Sequence, residues 1–211
     1  MAVASASSHT PEALLQQLLS CTEAVAIDFE TTGYAPEAMN APWQIGLVVI
    51  SQGRVDMSRS FQSLLRVGED HAFNPYTPGR WAQLRHELAQ APTLQELWPE
   101  LRPLLQGKVL VAHHAPTERG ILAQEFPLQS FGPWVDTLAV AKAAYPKCRN
   151  YKLENLAPTL GLLPTLQQKC PGLAPHDAFY DAVACATLLE TVLAAPGWKD
   201  LTLEAFTRLA L

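Results

Sequence analysis

Seventeen prolines, scattered rather than clustered, set the first limit on this 211-residue chain. A proline inside a helix removes a backbone donor and clashes with the preceding turn, so each one restricts how far a helix can run. The chain must therefore be built from many short elements. Its length suits one domain, or one domain with a small appendage. Apolar residues make up 48% and charged residues only 17%. That is enough for a substantial core, and it excludes a disordered acidic or basic tail protein.

Between the prolines the hydrophobic pattern changes period several times. Residues 11–21 read as an amphipathic helix, with Thr10 as its cap and Leu14, Leu15, Leu18 and Leu19 on one face. Residues 24–30 form a short apolar run ending in carboxylates, a buried strand. Residues 43–51 and 54–65 give a second and a third strand, joined as a hairpin through Ser51-Gln52-Gly53. A Pro/Gly-rich loop over 73–80 leads to helices at 81–89 and 94–105, the latter broken or kinked at Pro99 or Pro103. A strand at 108–112 precedes a helix at 116–125. A short strand near Val135 leads into a helix at 137–144 that Asp136 caps. A helix at 152–160 ends at Gly161. Residues 177–194 carry the longest uninterrupted helical pattern, and 201–209 form a terminal helix. The sum is an open α/β layer fold. The expected organisation is a helical extension over 1–23, a main domain over 24–195 and a helical tail over 196–211 packed on that domain.

Fifteen Lys and Arg against twenty Asp and Glu leave a net charge of −5. A protein that coats long stretches of duplex carries a basic stripe, because phosphate neutralisation drives that binding. This balance argues against such a coat but not against an enzyme that grips a few nucleotides. No run of about 18 apolar residues exists, so no transmembrane helix is expected. The first residues lack the basic start and compact apolar block of a signal peptide. Four cysteines without C-x-x-C spacing read as reduced structural thiols, and the expected location is cytoplasmic.

Three segments carry the chemistry. In the first, Asp28 and Glu30 are two apart on a strand and point to the same face. Two like charges so close repel by several kcal/mol at low effective dielectric. A divalent cation would compensate them, and hard oxygen ligands suit Mg²⁺ or Mn²⁺. Alone, the segment also fits a strand running out into a solvated acidic loop. In the second, the strand ending at His113-His114 empties into a helix whose first turn carries Glu118. Alone, Glu118 also fits a helix-terminal acid that complements the dipole. Adjacent histidines on a strand face opposite ways, so at least one is a hydrogen-bonded structural residue. In the third, Asp181 lies one turn into a helix and His176 at or just before its start. Residues five apart inside a helix diverge by about 140°. If His176 instead sits in the preceding loop, its ring can swing back beside Asp181. Histidine is the natural general base near neutral pH. The alternative is a surface Asp181, with Asp177 in the first turn.

Taken together, Asp28-Phe29-Glu30-Thr31-Thr32-Gly33, the acid Glu118 after His113-His114-Ala115, and His176-Asp177-Ala178-Phe179-Tyr180-Asp181 resemble the DEDD exonuclease superfamily, histidine subtype (DEDDh). The proofreading epsilon subunit of bacterial DNA polymerase III is that family's best-known member. The resemblance covers roughly 24–193. Gln44-Ile45-Gly46 sits where the family usually has Glu-Ile-Gly, and Val135-Asp136-Thr137-Leu138 and Lys152-Leu153-Glu154-Asn155-Leu156 also match family words.

The resemblance implies an RNase H-like exonuclease fold, with a mixed central sheet flanked by helices, and two divalent ions, Mg²⁺ or Mn²⁺. Asp28, Glu30 and Asp181 would hold the first ion. Asp28 would bridge to the second, with Glu118 at the remaining acidic position. His176 would take a proton from the attacking water. The expected activity is 3′–5′ exonuclease hydrolysis of single-stranded DNA ends to nucleoside 5′-monophosphates. The rivals are an exonuclease of RNA or short oligoribonucleotides, and a non-catalytic nucleic-acid-binding or polymerase-associated module. Backbone around Thr31, Thr32 and Gly33 would approach the terminal nucleotide and Tyr34 stack on a base, with His113 and Lys152 as further substrate contacts.

One departure matters: the family usually ends its second word in Asp, and this chain has Glu118. The side chain is one C–C bond longer, about 1.5 Å. That would weaken the second ion or favour Mn²⁺ over the geometrically stricter Mg²⁺. Lys142, Lys147, Arg149 and Lys152, with Tyr145 and Tyr151, form a concentrated basic segment that reads either as a substrate clamp or as a solvated face. The helix at 11–21 and the tail beyond Pro196 fall outside the resemblance. They are candidates for covering the sheet, for self-association or for docking a polymerase.

Overall fold

A computed structural model describes residues 11–35 and 39–210. Five strands form one sheet in the order β3-β2-β1-β4-β5. They are β1 (Ala24–Thr31), β2 (Pro42–Ser51), β3 (Arg54–Leu64), β4 (Val109–Ala112) and β5 (Trp134–Asp136). β2 runs antiparallel to both β1 and β3, while β4 and β5 lie parallel to β1 and to each other. The sheet is therefore mixed, with the β2–β3 hairpin on one side and crossover connections on the other.

The helices are α1 (Pro11–Leu15), α2 (Arg85–Gln90), α3 (Trp98–Leu105), α4 (Pro116–Glu125), α5 (Thr137–Ala144), α6 (Leu153–Thr159), α7 (Leu163–Lys169), α8 (Ala178–Leu193) and α9 (Leu203–Arg208). Two cores follow from the period of two along the strands. Ala24, Ala26, Val48, Ile50, Val109 and Val111 pack beneath α8 and its neighbours α5, α6, α7 and α9. Val25, Ile27, Phe29, Ile45, Leu47 and Leu110 pack against α3 and α4 on the other face.

Besides the helix expected over 81–89, which splits into a tight turn at Trp81–Gln83 and α2, and the one expected over 94–105, which begins only at Trp98, two elements differ from the sequence reading. The helix expected over 11–21 stops at Leu15 and resumes only as a single tight turn over Leu19–Cys21. Between them the chain extends and pairs with the C-terminal segment: the Leu19 amide donates to the Leu201 carbonyl at 3.2 Å and the Leu203 amide to the Gln17 carbonyl at 2.8 Å. Tertiary pairing thus overrides an amphipathic pattern too short to form a stable helix by itself. Thr10, expected as the cap, lies outside the described residues. The second difference is α7, which the sequence reading missed. Pro164 in its first turn, just after Gly161, was the available start signal.

Candidate active site

The strand period places both acids of β1 on the α8 face. Asp28 and Glu30 continue the row begun by Ala24 and Ala26, while Phe29 packs on the opposite layer. The β1–β2 register shifts between Glu30 and Thr31, so regular pairing ends where the acids emerge. Such irregularities re-aim side chains at the ends of strands.

α8 meets this row at its first turn. Gly46 is the sheet partner of Asp28. A Cβ at Gly46 would collide with the Ala178 carbonyl and the Phe179 Cα, so the start of α8 rests on bare strand backbone. Gln44, two residues earlier, fixes that seat. Its Nε2 donates to Asp177 Oδ2 at 3.0 Å, and its Oε1 accepts from the Ala178 amide at 3.2 Å. Asp177 is the N-cap, with Oδ1 accepting from the Phe179 and Tyr180 amides. A glutamate at position 44, the family's usual residue, would offer no donor to Asp177. The amide supplies both halves of the clamp. Gln44 was legible only as part of a strand word, not as the residue that seats the helix.

His176 lies outside α8, at a left-handed φ of 67°. This turn aims its backbone amide at Asp181 Oδ2, 2.9 Å away. The loop placement left open in the sequence is the one adopted. Among the described residues, Glu30, His176 and Asp181 can each offer one atom to a common ion, these atoms lying within 4.8 Å of one another. Glu118 comes from the third direction, in the first turn of α4 after Pro116. It is only 3% exposed, and its Oε2 is buried without a hydrogen-bond partner. Asp28 stands outside the closest trio, yet its carboxyl is perturbed by Asp181, Glu118 and Glu30 together.

The electrostatics of the cluster are one-sided. Burial pushes the Glu30 carboxyl up to about 8, with the charges of Asp181, Asp177 and Glu118 adding to it. Burial also pushes Glu118 up to about 8 and, with like charges around it, raises Asp28 well above the ordinary carboxylate range. Asp181 rises only to about 6, because the His176 amide offsets its burial. Among the described residues no Lys or Arg forms an ion pair with any of the four. Arg80 is engaged with Asp177 at 3.3 Å. Uncompensated oxygens, one of them orphaned, are the donor set a hard divalent cation accepts. The residues fit such an ion.

The expected substrate contacts divide. Tyr34 is 83% exposed and lines an open cavity of about 520 Å³ with Pro116, Thr117 and Ile121 of α4. Lys152 is exposed, its Nζ 3.9 Å from Glu154. Thr31 gives its carbonyl to the Trp43 indole. Thr32 is fully buried; its hydroxyl accepts from the Ala41 amide and its carbonyl from the Asn74 amide. Gly33, at φ 69°, is approached closely by Thr77 of the 73–80 loop. His113 departs from the expected substrate contact. Nδ1 lies 3.0 Å from Thr137 Oγ1 and Nε2 lies 2.7 Å from the Tyr151 carbonyl, so both ring nitrogens are committed inside the protein. Asp136 caps α5 as expected, accepting from Leu138, and also binds the His114 amide. In the basic segment, Lys147 and Arg149 line an open cavity of about 770 Å³ with Tyr145, Asn150 and Asn155.

A mixed sheet whose central strand carries paired acids, met by a helix bearing a third and a histidine turn, defines an RNase H-like exonuclease fold. The chain belongs to the exonuclease family: residues 25–189 match the family model described as Exonuclease (RNase_T). A DNA polymerase III subunit epsilon-like protein of Rhodobacter capsulatus is 29% identical over 182 residues, covering 84% of this chain and 25% of that protein. The chain spans a quarter or less of the length of the curated relatives it matches. Among solved structures, Exonuclease X in complex with 5′ overhanging duplex DNA superposes with a TM-score of 0.65 at 24% identity, covering 89% of this chain and 99% of that one. The nuclease domain of 3′hExo, a DEDDh family member bound to rAMP, gives 0.63 at 18% identity, covering 85% and 94%. The DEDDh resemblance read from the motifs is thereby borne out. No described helix is long and apolar enough to cross a membrane.

Proposed function

We propose that this chain is a divalent-metal-dependent 3′–5′ exonuclease that removes nucleoside 5′-monophosphates from single-stranded DNA ends. The observation that carries the reading is the cluster itself. Four acids from β1, α4 and α8 converge without a compensating cation, and Glu118 Oε2 lacks any partner. A binding module gains nothing from unneutralised, desolvated carboxylates. The names of the relatives, subunits and forms of DNA polymerase III, favour DNA over RNA.

Asp28, Glu30 and Asp181 would hold one ion, with Asp28 and Glu118 holding a second. Bound divalent cations supply positive charge to the oxygens of an in-line phosphoryl displacement. The chain supplies the rest. His176, free of α8 and beside Asp181, takes the proton from the attacking water. The water oxygen bonds to phosphorus, the P–O3′ bond breaks, and the leaving O3′ takes a proton from solvent water, so the shortened strand ends in a 3′-hydroxyl. Tyr34 and the adjoining cavity against α4 stack and seat the terminal nucleotide. Lys147, Arg149 and Lys152 hold upstream phosphates. Free thiols at Cys21, Cys148, Cys170 and Cys185 support a reducing, cytoplasmic setting. The joined segments around Leu19 and Leu201 offer a place for a polymerase or a second copy to dock.

The test is hydrolysis of 5′-labelled DNA and RNA oligonucleotides with Mg²⁺, Mn²⁺ or EDTA. A ladder growing from the 3′ end of DNA, abolished by EDTA, is expected. Absence of cleavage with either ion overturns the enzyme reading, and faster cleavage of RNA reassigns the substrate.

A further inference from the structure

We infer that Glu154 is the positioning residue for His176, fixing which ring nitrogen receives the proton; this rests on the reading of His176 as general base. Glu154 sits in the first turn of α6, and its Oε2 lies 2.9 Å from His176 Nε2. An ionised carboxylate has no proton to give, so Nε2 carries the hydrogen of that bond. In the neutral ring the lone pair is then on Nδ1. That nitrogen accepts the water proton as the oxygen attacks phosphorus and the P–O3′ bond breaks, leaving the imidazolium held against the Glu154 carboxylate.

The contact is built from both sides. His176's main chain is pinned by its left-handed turn and its amide bond to Asp181, but its ring is 39% exposed. The Glu154 contact is the ring's one polar tether among the described residues. Without it the ring is free to choose between rotamers and tautomers. Glu154 is itself braced: Asn155 Nδ2 donates to Oε1 at 3.4 Å, and Lys152 Nζ stands 3.9 Å from the same oxygen. Oε2 is left for the histidine.

The helix that presents Glu154 is anchored one step further back. His113 Nε2 faces the Tyr151 carbonyl, so it must donate, and Tyr151 immediately precedes the N-cap Lys152. Burial holds the His113 imidazole below its ordinary value, in its neutral form. Nδ1 lies 3.0 Å from the Thr137 hydroxyl, which also reaches the Ala112 carbonyl at 3.2 Å. The histidine at the end of β4 thus sets the start of α6, which sets Glu154, which sets the catalytic ring. This gives the 152–156 word a task distinct from helix formation. A carboxylate that orients an imidazole and stabilises its protonated form is a general device for proton transfer.

Steady-state kinetics on Glu154→Ala, Glu154→Gln, His176→Ala and the double variant test this. Positioned proton transfer contributes about 100- to 10,000-fold, so losing its orientation in Glu154→Ala should lower kcat at least about tenfold, with KM within about twofold of wild type. Glu154→Gln keeps an oxygen that accepts the same Nε2–H bond, and should recover several-fold over the alanine variant. Adding Glu154→Ala to His176→Ala should cost nothing further, since the two act as one unit. Nitrogen-resolved NMR of the imidazoles, with His176 assigned by its loss in His176→Ala, should show the Nε2–H tautomer in wild type and a mixture in Glu154→Ala. If His176→Ala is inactive but Glu154→Ala matches wild type, or is faster, the positioning role falls and the general-base reading stands. If His176→Ala keeps full kcat, the general-base reading falls and takes this role with it.

Discussion

Two glutamates stand at the two ends of one strand, and the fold treats them oppositely. Glu23 enters β1 with Arg59 Nη1 on one oxygen and Lys108 Nζ on the other, each at 2.6 Å. The Arg59 hydrogen bond, with help from Lys108, holds its carboxyl down at about 2. Glu30 leaves the same strand seven residues later, buried among other acids, and is pushed up to about 8. The chemistry of the side chain is identical; only the company differs. The Glu23 end is finished by the protein itself. The Glu30 end is finished only when positive charge arrives from outside the chain.

The comparison breaks most visibly through Asp28, whose carboxyl feels the charges of Asp181, Glu118 and Glu30 together. Asp28→Ala should lower exonuclease turnover by at least about a thousandfold, since metal-borne charge stabilisation is worth several kcal/mol. Gel assays would show whether any 3′ laddering survives. The second test is stability against pH. A carboxyl raised from 4.5 to about 8, as in Glu30, favours the fold fully below pH 4.5. That contribution is lost as pH rises through about 8. Thermal unfolding of EDTA-treated protein should therefore show Tm falling across that window, and Mn²⁺ should abolish the fall. A flat profile in EDTA would mean that the acids are compensated after all.

Glu118→Asp should keep activity within about threefold of wild type or raise it, and shift preference toward Mg²⁺, whose ideal octahedron tolerates misplacement least. A loss beyond about tenfold would show that the cleft has adapted to the longer acid. The smallest effect belongs to the other end. Glu23→Gln should leave turnover unchanged and cost about 0.5–1 kcal/mol at neutral pH. Because Glu23 is depressed, its contribution is present above pH 4.5 and fades as pH falls toward about 2, the reverse of Glu30.

Much of this arrangement could be read from residue order. The alternation along 24–30 announced both the buried strand and the shared face of Asp28 and Glu30. Asp136 as a cap followed from capping chemistry, and the helix beginning near Asp177 from its uninterrupted apolar pattern, though Asp177 itself proves to be the cap. What sequence withheld was tertiary. Nothing local says that Gln44 grips Asp177 across 133 positions, or that His113 turns inward to hold the loop at Tyr151. Thr32 looked like a backbone-flanking substrate contact because its neighbours match a nuclease word. Its burial depends on Asn74 and Ala41, which that word does not contain. The break at 16–18 likewise depends on a partner segment more than 180 residues away.

The absence of a side chain at Gly46 has a wider consequence. Because α8 begins on main chain rather than on packed side chains, the spacing between Asp28 and Asp181 is gauged by the thickness of a peptide backbone. Backbones do not vary with sequence. Drift elsewhere in the two cores can soften or stiffen the molecule without widening the cleft, so tolerance to core substitution and fidelity of the acidic cluster are separately adjustable. Engineering this scaffold for heat resistance could rework nearly all of its interior, provided one position keeps no side chain at all.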